Sequence, residues 1–182
     1  MSSVKKICIC AFLTAMCYVL PQAFHILPLG TALSPMHLPV LLCGLVCGWP
    51  YGLVCGLIGP VLSHLLSGMP PVTVLIGMVP ELGVYGLVTG LGMKFIRTGK
   101  TLLDLYLSLL PALVLGRVAG GVAQALLYLS RTESYTIALW AGSYVVGTLP
   151  AVVLQLVLLP TLVWGLMRAG LIPARYAARP VS

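Results

Sequence analysis

The amino-acid sequence predicts an all-α integral membrane protein, a six-transmembrane-helix bundle forming one domain over residues 1–182. Composition is the first reason. Of the 182 residues, 60% are hydrophobic and 7% are charged, where a soluble domain carries about 25% charged residues. A chain of this length cannot fold that much apolar surface away from water, so lipid must cover the remainder. Segmentation is the second reason: the apolar runs are long and break at clusters of proline and glycine. The third is the placement of the basic residues, which decides how many times the chain crosses.

The first run, 7–27, follows Lys5 and Lys6. At about 21 residues it is longer than a signal-peptide core, and no small-x-small cleavage site follows it, so a retained first helix is expected. Residues 28–36, PLGTALSPM, read as a loop. The run 37–67 has Trp49-Pro50 at its middle and ends in the turn SGMPP at 67–71. Runs at 72–95, 102–129 and 137–167 follow.

Three basic clusters should lie on the cytoplasmic side: Lys5 and Lys6; Lys94, Arg97 and Lys100; and Arg168, Arg175 and Arg179. That requires an even number of crossings before residue 95 and an even number in all. Splitting 37–67 at Trp49-Pro50 into spans 37–48 and 51–67 meets the condition and places both termini inside. An unbroken 37–67 would strand the last arginines outside. The short second and third spans must tilt or thin the bilayer.

Small residues recur at helical spacing. Gly44, Gly48, Gly52 and Gly56 are four apart, as are Gly86 and Gly90, and Gly116 and Gly120. This spacing lets backbones approach closely and suits packing inside the bundle. The pair Ala11 and Ala15 on the first helix suits either internal packing or an external helix. The cysteines, Cys8, Cys10, Cys17, Cys43, Cys47 and Cys55, all sit in apolar runs without a C-x-x-C pair. They read as buried reduced thiols.

Glu81 and Arg117 are charges that lipid would not tolerate. Counted from the outer ends of their helices, both lie roughly 13–18 Å deep. Such residues face the bundle interior and mark function by default. Tyr85 lies one turn after Glu81, and Gln124 two turns after Arg117 with Tyr128 beyond it. Trp140, Tyr144 and Thr148 form a further stripe. Together these faces would line a polar, aromatic-walled cavity open to the outside, with the loops 28–36 and 68–72 as its lid. Tyr128 and Trp140 equally suit an interfacial belt. His25, His37 and His64 map near the outer ends of the first three spans and read as separate capping groups. No metal or cofactor is expected. The sequence has no phosphate-binding lysine loop, H-E-x-x-H or G-x-S-x-G, and its three carboxylates, Glu81, Asp104 and Glu133, lie at three levels. An enzyme is therefore not expected, nor is a nucleic-acid partner.

The stretch Leu33 to Pro71 resembles the substrate-binding S components of energy-coupling factor (ECF) vitamin transporters. Met36-His37-Leu38-Pro39 and Ser67-Gly68-Met69-Pro70-Pro71 carry the likeness most specifically. Pro80-Glu81-Leu82, Tyr85-Gly86 and the run from Gly147 to Gln155 continue it. The resemblance implies a binding subunit in a prokaryotic cell membrane, without its own ATPase, that topples in the membrane to release its cargo inside. A transmembrane coupling subunit and two ATP-binding subunits would power it, and Ala11 and Ala15 match the family's A-x-x-x-A contact to the coupling subunit. The family's nickel and cobalt branch chelates metal with a Met-His at a free N-terminus. Met36-His37 is internal, so a metal-ion cargo is not expected. Substrate contacts are expected from His37, Glu81, Tyr85, Arg117, Gln124, Trp140 and Tyr144. An arginine in the cavity would suit a carboxylate or phosphate-like group, which puts pantothenate first, with hydroxymethylpyrimidine, pyridoxine, folate-like and queuosine-precursor molecules behind it. An intramembrane enzyme and a ligand-free scaffold are the alternatives.

Overall fold

The computed structural model describes residues 1–24, 34–130 and 136–176, and the described residues contain helices and no strands. In chain order the helices are α1 (Ser3–Phe24), α2 (His37–Cys47), α3 (Trp49–Ser67), α4 (Val72–Phe95), α5 (Thr101–Ser130), α6 (Ile137–Trp140), a π-helical segment (Ala141–Val146) and α7 (Leu149–Arg168). Five of these, α1, α3, α4, α5 and α7, are long and apolar enough to cross a membrane.

The break inside 37–67 falls at Gly48. Its φ of +97° is open to glycine and strained for other residues. Trp49 and Pro50 then open α3, where proline's missing N–H costs nothing. The resulting α2 has 11 residues, about 16 Å at 1.5 Å per residue, which is shorter than the hydrocarbon thickness. It is sheltered instead, with His37, Pro39, Val40, Leu41, Cys43, Gly44, Leu45 and Cys47 all buried among α1, α3, α4 and α7.

The glycines explain how α3 and α4 come so close. A Cβ on Gly86 would lie 2.0 Å from the Gly52 carbonyl oxygen, and one on Gly56 would lie 2.2 Å from that of Leu82. Backbone thus meets backbone, the arrangement expected of small-residue repeats. Cys10, Cys17, Cys43, Cys47 and Cys55 are buried free thiols in the same core, while Cys8 is exposed.

The run 137–167 is not one continuous α-helix. The chain makes one α-turn, passes through the π-helical segment, and resumes as α7 after Gly147 and Thr148. Arg117 props this break open from α5. Its Nε donates to the Tyr144 carbonyl at 2.7 Å, and its Nη2 donates to Thr148 Oγ1 at 3.0 Å.

At one end of the bundle the C-terminal segment is strapped across α4 and α5. The buried Asp104 carboxylate accepts from the Thr98 backbone N–H at 2.9 Å, from Thr98 Oγ1 at 2.7 Å, and from Arg175 and Tyr176. Arg175 also donates to the carbonyls of Met93 and Ile96. Lys5 Nζ reaches the Leu171 carbonyl at 2.8 Å, tying the start of α1 to the same strap. Asp104→Asn keeps the shape and removes the charge, leaving the Arg175 guanidinium without its counter-ion. The expected cost is about 3 kcal/mol, the lower end for breaking a buried pair. It should appear as a lowered unfolding midpoint in detergent, and an unchanged midpoint would show that the strap is decorative.

Candidate ligand-binding site

A partly open cavity lies at the other end, where α2 and α4 begin and α1 and α3 finish. It measures about 340 Å³, at the low end for small-molecule pockets. Its walls are Pro21 of α1, the turn Ser34-Pro35-Met36, His37, Ser63, the turn Met69-Pro70-Pro71, and Val74 and Met78 of α4. The second turn is pinned in place. His64 Nδ1 pairs with the Pro70 carbonyl at 2.8 Å, Ser63 Oγ donates to the Met69 carbonyl at 2.9 Å, and Ser67 Oγ donates to the Ser63 carbonyl at 2.8 Å. Prolines with fixed φ on both turns make a wall that is preformed and costs little to order on binding.

His37 is the titratable side chain among the described lining residues. Its Nε2 stands 3.5 Å from Glu81 Oε1. The Tyr85 hydroxyl donates to the same Oε1 at 2.7 Å, and the His37 and Tyr85 rings are 5.4 Å apart between centroids. His37, Glu81 and Tyr85 are all buried, and His37 Nδ1 has no hydrogen-bond partner. The cavity wall is thus backed by a short polar chain leading into α4.

The remaining sequence-predicted residues gather at a second place, the junction of α4, α5 and the π-helical segment. A Cβ on Gly77 would meet the Tyr144 hydroxyl at 2.6 Å and Gln124 Oε1 at 2.8 Å. The Tyr144 ring covers Gly120, the Tyr85 ring covers Gly116, and the Trp140 indole covers Gly121. Trp140 Nε1 donates to the Arg117 carbonyl at 3.3 Å. Arg117, Gln124, Trp140 and Tyr144 therefore interlock over glycines on α4 and α5. None of these four lines the 340 Å³ cavity. A shallower depression of about 390 Å³ borders Trp140, beside the exposed Val118 and Val122.

No ion pair joins Glu81 and Arg117, which residue counting puts at one level: Glu81 turns to Tyr85 and His37, and Arg117 to Tyr144, Leu113 and Thr148. His25 and Glu133 lie outside the described residues. Among the described residues no group of three His, Cys, Asp or Glu side chains could hold a metal ion. Sequence reasoning missed Ser63, Val74 and Met78, which lie within helical runs and carry no functional signature, whereas Met36 and Met69 belong to the two loops expected as a lid. It also missed Gln155 on α7 as a distinct group: its side chain is 1% exposed and both its amide atoms lack partners.

A model of the family described as "ECF transporter, substrate-specific component" matches residues 5–172. The chain belongs to this family. No curated protein and no solved structure matches it. As an ECF S component it is a membrane-inserted substrate-binding subunit of a transporter, and its family is not an enzyme class. Membership implies association with the transmembrane and ATPase subunits of an ECF complex.

Proposed function

We propose that this S component captures a small water-soluble vitamin or vitamin precursor at the outer face of a prokaryotic cell membrane, and that the ligand sits in the cavity backed by His37, Glu81 and Tyr85. The observation that carries the reading is the cavity itself: a partly open volume of ligand size, flanked by two proline-bearing turns, with the buried His37 imidazole in its wall. The residues at the α4–α5 junction then hold the bundle in shape around the site rather than touching the cargo.

Six crossings with both termini cytoplasmic fit the same arrangement. Lys5 and Arg175 bind at one end of the bundle, beside Lys94, Arg97 and Lys100, while the cavity opens at the other. A positive inner end and an outward pocket follow from the positive-inside rule. The short α2 crosses only with neighbours shielding it and the bilayer thinned nearby.

Transport requires partners. Purified from membranes under mild detergent with a tag on the full chain, the protein should bring down one transmembrane coupling subunit and two ATP-binding subunits. A chain that is folded, binds ligand and comes down alone would overturn the transporter assignment.

A further inference from the structure

We propose that the depression between the start of α5 and the end of α7 binds an anionic phospholipid, its phosphate held by Lys100 and Arg168 and an acyl chain laid along the apolar floor. Assignment to the inner leaflet rests on the reading that this end of the bundle is cytoplasmic; the chemistry of the site does not.

The depression measures about 560 Å³ and is lined by Lys100, Thr101, Leu102, Leu103, Tyr106 and Trp164. Lys100 immediately precedes α5, and Arg168 is the last residue of α7. The Arg168 guanidinium stacks on the Trp164 ring, with Cζ 3.9 Å from the centroid, which keeps the charge beside the depression. The root of the lysine is fixed as well. Its N–H donates to Thr98 Oγ1 at 3.4 Å, and its carbonyl accepts from the Asp104 N–H at 3.1 Å.

Other cations at this end are committed. Lys5 donates to the Leu171 carbonyl, and Arg175 to Asp104, Met93 and Ile96. Lys100 Nζ and the Arg168 guanidinium make no hydrogen bond or ion pair among the described residues. No carboxylate is free to answer them. The chain has three in all: Asp104 is buried under its own donors, Glu81 stands behind His37, and Glu133 follows the far end of α5, a helix of 30 residues. Residues 177–182 add an arginine and no acid.

Two uncommitted cations beside an apolar floor suit a molecule that is anionic at one end and hydrocarbon at the other. Inorganic phosphate would gain nothing from Leu102, Leu103 or Tyr106. Leu107 and Leu110 are exposed one turn along α5 from Leu103 and Tyr106, so the floor continues into the hydrocarbon. Basic pockets between helices on the cytoplasmic side take anionic head groups, and tryptophan favours the headgroup level.

Native mass spectrometry of the full chain, released from detergent micelles titrated with dioleoyl phosphatidylglycerol or dioleoyl phosphatidylcholine, tests this. Two cations at roughly fivefold each give an expected preference for phosphatidylglycerol of about 30-fold. Lys100→Gln should lower it about fivefold, and Lys100→Gln with Arg168→Gln should abolish it. Lys94→Gln with Arg97→Gln removes the same charge from the same end outside the lining and should keep the preference. All four side chains are exposed, so size-exclusion profiles should not change. Absence of a preference, equal loss in both double variants, or displacement by excess inorganic phosphate overturns the site. So does loss of the coupling subunit from the Lys100→Gln, Arg168→Gln protein with lipid binding unchanged, which would make the depression a protein contact. Micelles have no sides, so protease access to a C-terminal tag in intact spheroplasts reports the leaflet separately: cleavage from outside overturns the topology and leaves the site standing.

Discussion

Gly86→Leu should leave almost no folded protein, and even Gly86→Ala should cost on the order of 3 kcal/mol, the top of the usual range for overpacking. A Cβ at this position would sit 2.0 Å from the Gly52 oxygen and 2.2 Å from its carbon. Both are backbone atoms of α3 and cannot rotate aside as a side chain would. The two helices would have to separate. In lipid no hydrophobic force pulls them back, because tails cover the exposed faces as well as a partner helix does. What is lost is close dispersion and the weak Cα–H···O contacts that need this proximity. The damage would spread, because Gly44 packs against the Gly86 oxygen and Thr89, and Gly90 against Trp49. Gly165→Ala is the matched control. Gly165 also lies within a helix, but nothing stands within 4 Å of its added Cβ, so alanine there should be neutral or stabilise by roughly 0.5–1 kcal/mol through its helix preference. Size-exclusion profiles and unfolding midpoints in detergent decide the matter. Equal behaviour of Gly86→Ala and Gly165→Ala would mean that α3 and α4 are not in backbone contact.

The same glycines show why some of the molecule was legible in the sequence and some was not. Helix ends were readable because proline and glycine state them locally. Gly68 terminates α3 in a left-handed conformation, and Pro71 precedes α4, which spans Val72–Phe95 as the run 72–95 suggests. The π-helical break was not readable. The residues from Ile137 onward form one apolar run, and the interruption depends on a guanidinium arriving from α5 to take the Tyr144 carbonyl. For the candidate site, sequence gave depth but not direction around the helix. Counting residues puts Glu81 and Arg117 at one level. Their separation arises because each finds closer partners, Tyr85 one turn along α4 and Leu113 one turn along α5. The two turns that close the cavity were visible as proline-rich loops, whereas its walls came from α1 to α4 because methionine and valine carry no functional signature.

Ala11→Trp and Ala15→Trp should each reduce transport to background while leaving ligand affinity and unfolding midpoint unchanged. On α1 the buried residues are Cys10, Leu13 and Cys17. Val4, Cys8, Ala11, Ala15 and Val19 form an exposed stripe at spacings of three and four. Such a stripe runs straight along one helical face. Within the described bundle α1 packs chiefly on α2 and α3, so this face is open to lipid or to a partner helix. Two alanines one turn apart at its middle let a second backbone come close, as small-x-x-x-small pairs do. An indole would hold that backbone off and forfeit the contact. Neither alanine lines the cavity, and a tryptophan in lipid disturbs no core, which is why binding and stability should hold. Leu65→Trp, at an exposed position on α3, controls for bulk alone and should transport normally. Uptake by cells or liposomes carrying the whole complex, together with recovery of the coupling subunit on purification, gives the reading. Normal uptake with both alanine variants would mean that the coupling subunit docks on a different face.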